Sequence, residues 1–540
     1  MTVSNAQDPV KIQRALLTLF LVGASVFLAW FGLSRGMPLV GLAIPVVAVV
    51  SGLLGRPEFL LMTALFAVRA KMKIPGFPDT LGVYELFQGL IIGWAMLDVA
   101  LRKRKSRDSY NGGMDLWLIL FLINLFLIIS VRGFGLARGG GTTWGGASYV
   151  TLFLSLLFFF SAVRIRIRPE QIRALLWVML GGAIVPIVVE LLVAYSGGAF
   201  FWLTEFFSTG AESLVMEGLS EEGISRFKGA GGLASVLIPL AFVLCRKKIY
   251  QMFWLLTALA LISLSGFRSG MVSIAMLIFL LTVYDSKSRV KTILFWVFVG
   301  VAGLAFLMVA APMLPRAVQR AVSFFEFIPV DPDIAQRAGG SSTWRFDMWR
   351  DYCLPHVPQY LLVGRGLARE ISGFAWLQGS WYASGEFFYH MGRYHSGPFS
   401  LLLDYGLLGT VSFTTFFLLA IREGWTTLRR VNPQQVDRIV YRFYVYLVVR
   451  LTYGIASFFL IFGDVRESLP QLLITFVLMR IVRKNLLEPN LTEVGCQISD
   501  VSVGEPEGSS ETTQDLPRKR INGRQDNVAP DFSPSQLIDK

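Results

Sequence analysis

Only three histidines occur among the 540 residues, and His395 stands where a hydrophilic stretch meets a strongly apolar one. An unperturbed imidazole has a pKa of about 6.5, so His395 can accept a proton from a hydroxyl group at neutral pH and release it later. The alternative role is structural, with the ring hydrogen-bonded to a loop carbonyl. His395 is therefore a candidate general base, and its neighbours must decide between the two roles.

Three arginines lie in loops that we expect on the same side of a membrane as His395. Arg226 occurs in SRFKGAGG, Arg268 in SGFRSG and Arg345 in STWRFDMW. A guanidinium group binds phosphate oxygens in pairs and stays protonated, so arginines that converge at a membrane surface suit a lipid-linked diphosphate. The alternative for each is contact with lipid headgroups or stabilisation of its own loop.

The composition indicates a membrane protein. Hydrophobic residues make up 54% of the chain and charged residues 16%, against about 25% charged residues in soluble domains. Apolar runs close to the length of about 20 residues that crosses a bilayer recur along the chain. We expect an all-α polytopic bundle of about 12–14 spans. The predicted spans are 14–34, 37–54, 58–72, 82–101, 114–131, 146–164, 171–195, 229–245, 249–266, 269–284, 291–312, 396–420, 439–461 and 468–483.

Lysine and arginine set the expected orientation. Basic clusters such as RKRKSR (102–107) and RIRIRP (164–169) fall on every second loop, and the positive-inside rule places those loops and both termini in the cytoplasm. The predicted segments are a cytoplasmic N-terminus (1–13), an N-terminal transmembrane bundle (14–312), a large periplasmic loop (313–395), C-terminal transmembrane helices (396–484) and a disordered cytoplasmic tail (485–540).

The charges and cysteines argue against several other classes of protein. The formal net charge of +13 is carried in short clusters between apolar runs, which topology explains better than nucleic-acid binding. The three cysteines have no zinc-site or disulfide spacing. The loops on the His395 side lack the cluster of carboxylates that a magnesium site needs. We expect no metal and no cofactor.

The sequence around His395 resembles a known family. His395 and Ser396, nine residues, Gly406, two residues and Gly409 fit the pattern H-[N/S/Q]-x9-G-x-x-[G/T/Y] of the O-antigen ligase and polymerase superfamily. These proteins are membrane glycosyltransferases that use polyprenyl-linked glycans. The order of other landmarks is also similar across about 200–480 of the chain. They are Arg226, Arg268, the pair Arg345 and Trp349, the pair Gly364 and Gly366, and then the histidine.

The resemblance implies a metal-independent glycosyl transfer at the periplasmic side of a bacterial inner membrane. The implied donor is a glycan on undecaprenyl diphosphate, and the acceptor is a lipid or glycan hydroxyl in O-antigen or exopolysaccharide biosynthesis. His395 would be the base or would orient the acceptor, Arg345 would act beside it, and Arg226, Arg268 and Arg345 would hold the diphosphate. Membrane lipids and other polysaccharide-assembly proteins are the further expected partners.

Several alternatives stay open. Ligase and polymerase share the leaving-group chemistry and differ in the acceptor, which no motif identifies. A transporter or flippase of the lipid-linked oligosaccharide would use arginines without breaking a bond, although the nearly uncharged centres of most spans disfavour it. Asp404, an acid inside a span, is expected to pair with another span rather than with His395.

The predicted periplasmic loop carries two further expectations. The segment WRFDMWRDY is expected to be helical and to end at Pro355. Four tryptophans could stack on sugar rings or belong to an interfacial aromatic belt. They are Trp344, Trp349, Trp376 and Trp381.

Overall fold

The computed structural model describes residues 56–487, apart from 76–81, 103–111, 136–142, 197, 209–226, 266–267, 324, 326, 371–384 and 461–462. All of the described residues belong to one compact unit. The predicted spans near 14–34 and 37–54 and almost all of the predicted tail lie outside the described residues.

The described part of the chain is a bundle of apolar helices, which confirms the all-α polytopic prediction. Six helices are long and apolar enough to cross a membrane, and four shorter ones are similarly apolar. The six are α2 (Val83–Arg102), α3 (Gly112–Arg132), α5 (Pro169–Tyr195), α9 (Arg289–Ala310), α14 (Gly397–Arg430) and α15 (Arg438–Leu460). The four are α4 (Gly146–Ala162), α6 (Lys228–Leu244), α7 (Lys248–Leu264) and α8 (Arg268–Tyr284). With α1 (Pro57–Ala70) and α16 (Val465–Leu487), every predicted span inside the described ranges coincides with a helix.

The helices differ in how much of their apolar surface other helices cover. Helix α9 has no buried residue, and large side chains such as Phe298, Val301 and Phe306 are exposed along it. In α15, by contrast, a run of buried residues extends from Phe443 to Val449. Since hydrocarbon is the environment in which exposed apolar side chains are stable, α9 is suited to a position at the lipid-facing edge of the bundle.

Several basic segments of the described part of the chain lie at one end of the bundle. Lys484 donates to the carbonyl oxygen of Val163 at 2.7 Å, and Arg438 donates to that of Cys245 at 3.0 Å. The positive-inside rule predicts this gathering. The other end, where α14 begins and α15 ends, is called here the His395 end.

The connection between α9 and α14 contains short helices. They are α10 (Arg316–Val322), α11 (Pro332–Asp347), a π-helical turn (Met348–Cys353), α12 (Leu354–Tyr360) and α13 (Gly385–His390). A pair of two-residue strands, β1 (Thr143–Trp144) and β2 (Arg369–Glu370), joins this connection to the segment before α4 in antiparallel register.

The predicted helix over WRFDMWRDY is present, but the prediction that Pro355 ends it is wrong. Helical backbone continues from the π-turn into α12, with Pro355 as its second residue. The amide of Leu354 donates to the carbonyl of Trp349, five residues earlier. The hydrogen-bond spacing changes here from that of a π-helix to that of an α-helix. Pro355 therefore falls in the first turn of α12, where a missing N–H is tolerated.

Helix α14 is broken at Gly406. This residue has φ 66° and ψ −169°, a conformation that is essentially restricted to glycine. The segment 361–366 lies against the break. The amides of Arg365 and Gly366 donate to the carbonyls of Leu403 and Asp404 at 2.6 and 3.0 Å, and the amide of Leu407 donates to the carbonyl of Leu361 at 2.6 Å. The loop thus satisfies backbone groups that the break removes from the helix.

The glycines of the sequence motif allow this backbone contact. A Cβ atom on Gly364 would lie 2.6 Å from the carbonyl oxygen of Asp404, and one on Gly406 would lie 2.7 Å from that of Leu362. At Gly409 a Cβ atom would lie 2.7 Å from Nδ2 of Asn124, which donates to the carbonyl of Tyr405 at 2.9 Å. The spacing of these glycines therefore reflects the close approach of loop, broken helix and α3.

The substitution Gly406→Ala should destabilise the protein. The backbone conformation alone is expected to cost about 1–3 kcal/mol, and the new Cβ atom adds a contact of 2.7 Å with a backbone oxygen. Thermal unfolding in detergent would show a lower midpoint. Gly89→Ala is the matched control, because a Cβ atom there meets nothing within 4 Å. Equal midpoints for the two variants would contradict this account of the break.

Candidate functional site

His395 lies between α13 and α14 in an unusual backbone conformation. Its φ is +52°, a left-handed value that is uncommon for residues other than glycine. The indole nitrogen of Trp349 donates to the carbonyl oxygen of Tyr394 at 2.7 Å. This bond holds the peptide unit that precedes His395, so the π-helical turn that carries Trp349 helps to orient the histidine.

Aromatic rings surround the imidazole. The ring centroids of Trp344 and Phe388 lie 5.4 and 5.5 Å from that of His395, both in edge-to-face geometry. Trp344 and Phe388 also stack on each other at 4.6 Å. The guanidinium carbon of Arg345 lies 5.3 Å from the Trp344 ring centroid. The histidine and one predicted arginine are thus joined through a tryptophan.

This environment lowers the basicity of His395. Burial, together with the positive charges of Arg345 and Arg393, lowers its pKa to about 4, while the charge of Asp464 acts in the opposite direction. The imidazole is therefore neutral at pH 7. The unperturbed value of about 6.5 that the sequence suggests does not hold here, because partial burial beside cations disfavours the imidazolium form.

Arg345 is a cation with spare hydrogen-bonding capacity. Burial lowers the pKa of its guanidinium group, and its Nε atom is buried without a hydrogen-bond partner among the described residues. A buried donor without a partner is unfavourable. An anionic group bound beside His395 would satisfy it.

A buried charge cluster supports the residues before His395. Arg369 donates to Oδ1 of Asp404 at 2.8 Å, and the hydroxyl of Tyr394 donates to the same oxygen at 2.7 Å. Arg365 donates to the Tyr394 hydroxyl at 2.8 Å. Asp404 therefore pairs with the loop, and not with another span as the sequence suggested. Burial of these charges is tolerable because each is paired.

A second ion pair lies on the other side of His395. Arg466 contacts Asp464 at 2.8 Å and also donates to the carbonyl of Gly392. Asp464 is the carboxylate whose charge acts on His395. Together with the Asp404 cluster, this pair anchors both ends of the segment 392–394.

The described part of the chain brings only some of the predicted site residues together. Arg345 and His395 are brought together. Arg268 is the first residue of α8, two residues before Gly270, and Gly270 lines a cavity in the bundle. Arg226, Trp376 and Trp381 lie outside the described residues. No group of three or more metal-binding side chains occurs in the described ranges.

The sequence analysis missed one buried carboxylate, which lies at the start of α6. Glu190, in α5, accepts hydrogen bonds from the amide of Gly229 at 2.9 Å through both carboxylate oxygens. It thereby caps the start of α6, just after the predicted arginine. An acidic residue inside an apolar span is itself a signal of a specific partner, and this signal was present in the sequence.

Comparison with protein families gives one match. A family model described as O-Antigen ligase matches residues 229–414. This match covers about a third of the chain and supports its resemblance to the O-antigen ligase and polymerase superfamily. The matched segment runs from α6 into α14 and includes Arg268, Arg345 and His395. No curated relative matches the chain. The match supports, in general terms, a ligase or polymerase type of activity on a lipid-linked glycan and an acceptor.

The depressed pKa of His395 can be measured directly by NMR titration of the histidine rings. The signal missing from His395→Ala identifies the residue, which should titrate with a pKa of about 4. Arg345→Gln should raise this pKa, because loss of a positive charge favours the imidazolium form. Arg350→Gln is the control, since this exposed arginine pairs with Asp347 and Asp351. An unchanged or lower pKa in Arg345→Gln would show that Arg345 does not act on the histidine.

Proposed function

We propose that this protein transfers a glycan from undecaprenyl diphosphate to the hydroxyl group of a lipid or glycan acceptor. The reaction takes place at the periplasmic face of the bacterial inner membrane and needs no metal ion. The observation that carries the proposal is the contact of Trp344 with both His395 and Arg345. The Nε atom of Arg345 is buried without a hydrogen-bond partner among the described residues, and all three residues lie inside the segment that matches the family model.

The roles follow from the charges that develop during transfer. The acceptor oxygen bonds to the anomeric carbon of the donor sugar while the bond from that carbon to the diphosphate breaks. His395 takes the proton of the acceptor hydroxyl. Arg345, with Arg226 and Arg268, stabilises the negative charge that builds on the leaving diphosphate. The diphosphate departs on its lipid, and His395 returns its proton to solvent.

The low pKa of His395 fits this order of events. In the free protein the imidazole is neutral and able to accept a proton. A bound diphosphate brings negative charge next to Arg345, and this charge raises the pKa of His395 because it stabilises the imidazolium form. The donor itself therefore makes His395 a stronger base, so that proton transfer is favoured when the leaving group is in place.

Transfer by the purified protein in liposomes tests the proposal. The donor is a radiolabelled undecaprenyl-diphosphate oligosaccharide, and the buffer contains a chelator of divalent ions. His395→Ala should reduce transfer by a factor of about 10²–10⁴, the usual contribution of a general base. His390→Ala, in the same loop but with an exposed side chain, should transfer at the wild-type rate.

Three outcomes would contradict the proposal. Equal transfer by wild type and His395→Ala would remove the histidine from the site. A requirement for a divalent metal would exclude the metal-independent reaction. Intact donor recovered on the opposite leaflet, without release of undecaprenyl diphosphate, would make the protein a transporter. The size of the wild-type product separates a ligase from a polymerase.

The pH dependence of transfer tests the effect of the donor on His395. The acid limb of kcat/KM reports the free protein and the limb of kcat reports the donor complex. We expect the acid limb of kcat/KM near pH 4, the pKa of His395 in the free protein. We expect the acid limb of kcat at a higher pH. Coincident limbs would show that bound donor does not change the basicity of His395.

A further inference from the structure

A cavity of about 310 Å³ lies inside the bundle between α6, α7, α8, α15 and α16. Its residues come from the halves of these helices that are nearest the His395 end. The cavity walls are rich in groups that can donate a hydrogen bond. These are Ser235, Ser273, Arg450, Tyr453, Ser457, Ser468, Gln471 and Thr475. Such a lining is unexpected between apolar spans, where polar groups are costly and mark functional sites.

Arg450 is the charged residue of this cavity. It lies near the middle of α15, within a segment long and apolar enough to cross a membrane. No carboxylate is among the described residues that line the cavity, and none of the ion pairs within the described ranges involves Arg450. An arginine at this depth calls for an anionic partner.

A second arginine lies behind the cavity wall. Arg69 of α1 donates to Oγ of Ser235 at 3.3 Å, and its Nε atom is buried without a hydrogen-bond partner among the described residues. The positive charges of Arg69 and Arg450 are close enough to act unfavourably on each other. Two neighbouring cations in an apolar bundle are stabilised when an anion lies between or beside them.

A tyrosine adds a further unsatisfied donor. The hydroxyl of Tyr453 is buried and lacks a hydrogen-bond partner within the described part of the chain, and Tyr453 lines the cavity. A buried polar group without a partner is rare in proteins and points to a ligand or to water. Guanidinium, hydroxyl and amide donors together match the oxygens of a phosphate group.

We propose that Arg450, with Arg69 and Tyr453, binds the diphosphate of a membrane-embedded isoprenoid lipid in this cavity. The inference rests on the proposed function and extends it to residues outside the segment 229–414 that matches the family. Gly270 and Ser273 of the cavity follow Arg268 on α8, so the cavity adjoins a helix that begins with a predicted diphosphate-binding arginine. The large apolar side chains exposed beside the cavity on α7 and α8, such as Leu264 and Met276, favour entry of a lipid from the bilayer over a free ion from water.

Equilibrium binding of undecaprenyl diphosphate without a glycan to the full chain in detergent tests the proposal. Arg450→Gln should weaken the binding of the lipid in the cavity about tenfold or more, the value of one lost charge-assisted hydrogen bond, while a second lipid at the site of Arg345 binds as before. Arg450→Lys keeps the charge and should fall between this variant and wild type. Arg422→Gln is the control, because Arg422 lines a different cavity with Gly113 and Arg430 and should leave the dissociation constant unchanged.

A second variant guards against loss of folding. Tyr453→Phe removes one hydroxyl group and keeps the ring, so the protein should unfold at the wild-type temperature and bind the lipid several-fold more weakly. The proposal would be overturned if Tyr453→Phe bound the lipid with wild-type affinity and a folded variant of Arg450, either Arg450→Lys or Arg450→Gln, did so too. Inorganic pyrophosphate should displace the lipid only at a large molar excess, and displacement at equal concentration would overturn the assignment to a lipid.

The failure of this inference is separable from failure of the proposed function. Unchanged lipid binding in the Arg450 variants, with glycan transfer intact in the wild type, would refute the cavity site alone. Loss of binding in Arg450→Gln, with no transfer by the wild type under any donor, would refute the transferase and leave a protein that binds lipid diphosphates.

Discussion

The break in α14 is the constraint on which the rest of the His395 end depends. In an apolar bundle a freed backbone group finds no water, so the protein must supply a partner for it. The backbone amides of Arg365 and Gly366 donate hydrogen bonds to the carbonyls of residues 403 and 404. The side-chain amide of Asn124 donates to the carbonyl of residue 405. The glycines at 364 and 406 permit backbones to approach closely enough for these bonds.

This local requirement also determines where the catalytic candidates lie. The segment that closes the break brings Arg365 and Arg369 to Asp404, and Asp404 in turn receives the hydroxyl of Tyr394. Tyr394 precedes His395, whose left-handed conformation persists only if its neighbours hold it. Trp349 completes the support from the other side. The histidine is thus positioned by a chain of contacts that begins at one glycine.

Hydrophobic runs and basic clusters were sufficient to predict the helices, because length and apolarity are direct requirements of a bilayer. Motif spacing likewise led to His395 and Arg345. Three features did not follow from local sequence. The continuation of helix through Pro355 depends on a π-turn, Asp404 finds its partner 35 residues away, and the pKa of His395 depends on burial that only the tertiary structure creates. Arg450 and Glu190 are ionisable residues inside predicted spans, which by itself indicates a specific partner. The sequence did not show which residues or ligands these partners are.

Among the described residues, most buried arginines at both ends of the bundle are paired with a carboxylate, and the few without such a pair lie near the proposed sites. At the basic end, Arg480 contacts Asp115 at 3.0 Å and Arg442 contacts Asp285 at 2.8 Å, so these cations are neutralised within the protein. At the His395 end, Arg369 and Arg466 are likewise paired, with Asp404 and Asp464. Arg345, Arg69 and Arg450, by contrast, take part in none of the ion pairs found among the described residues, and no described carboxylate lines the cavity of Arg450. The difference therefore lies between individual arginines and not between the two ends. A cation without a carboxylate partner beside a neutral histidine can be neutralised by a negatively charged substrate. This arrangement therefore favours the binding of such a substrate.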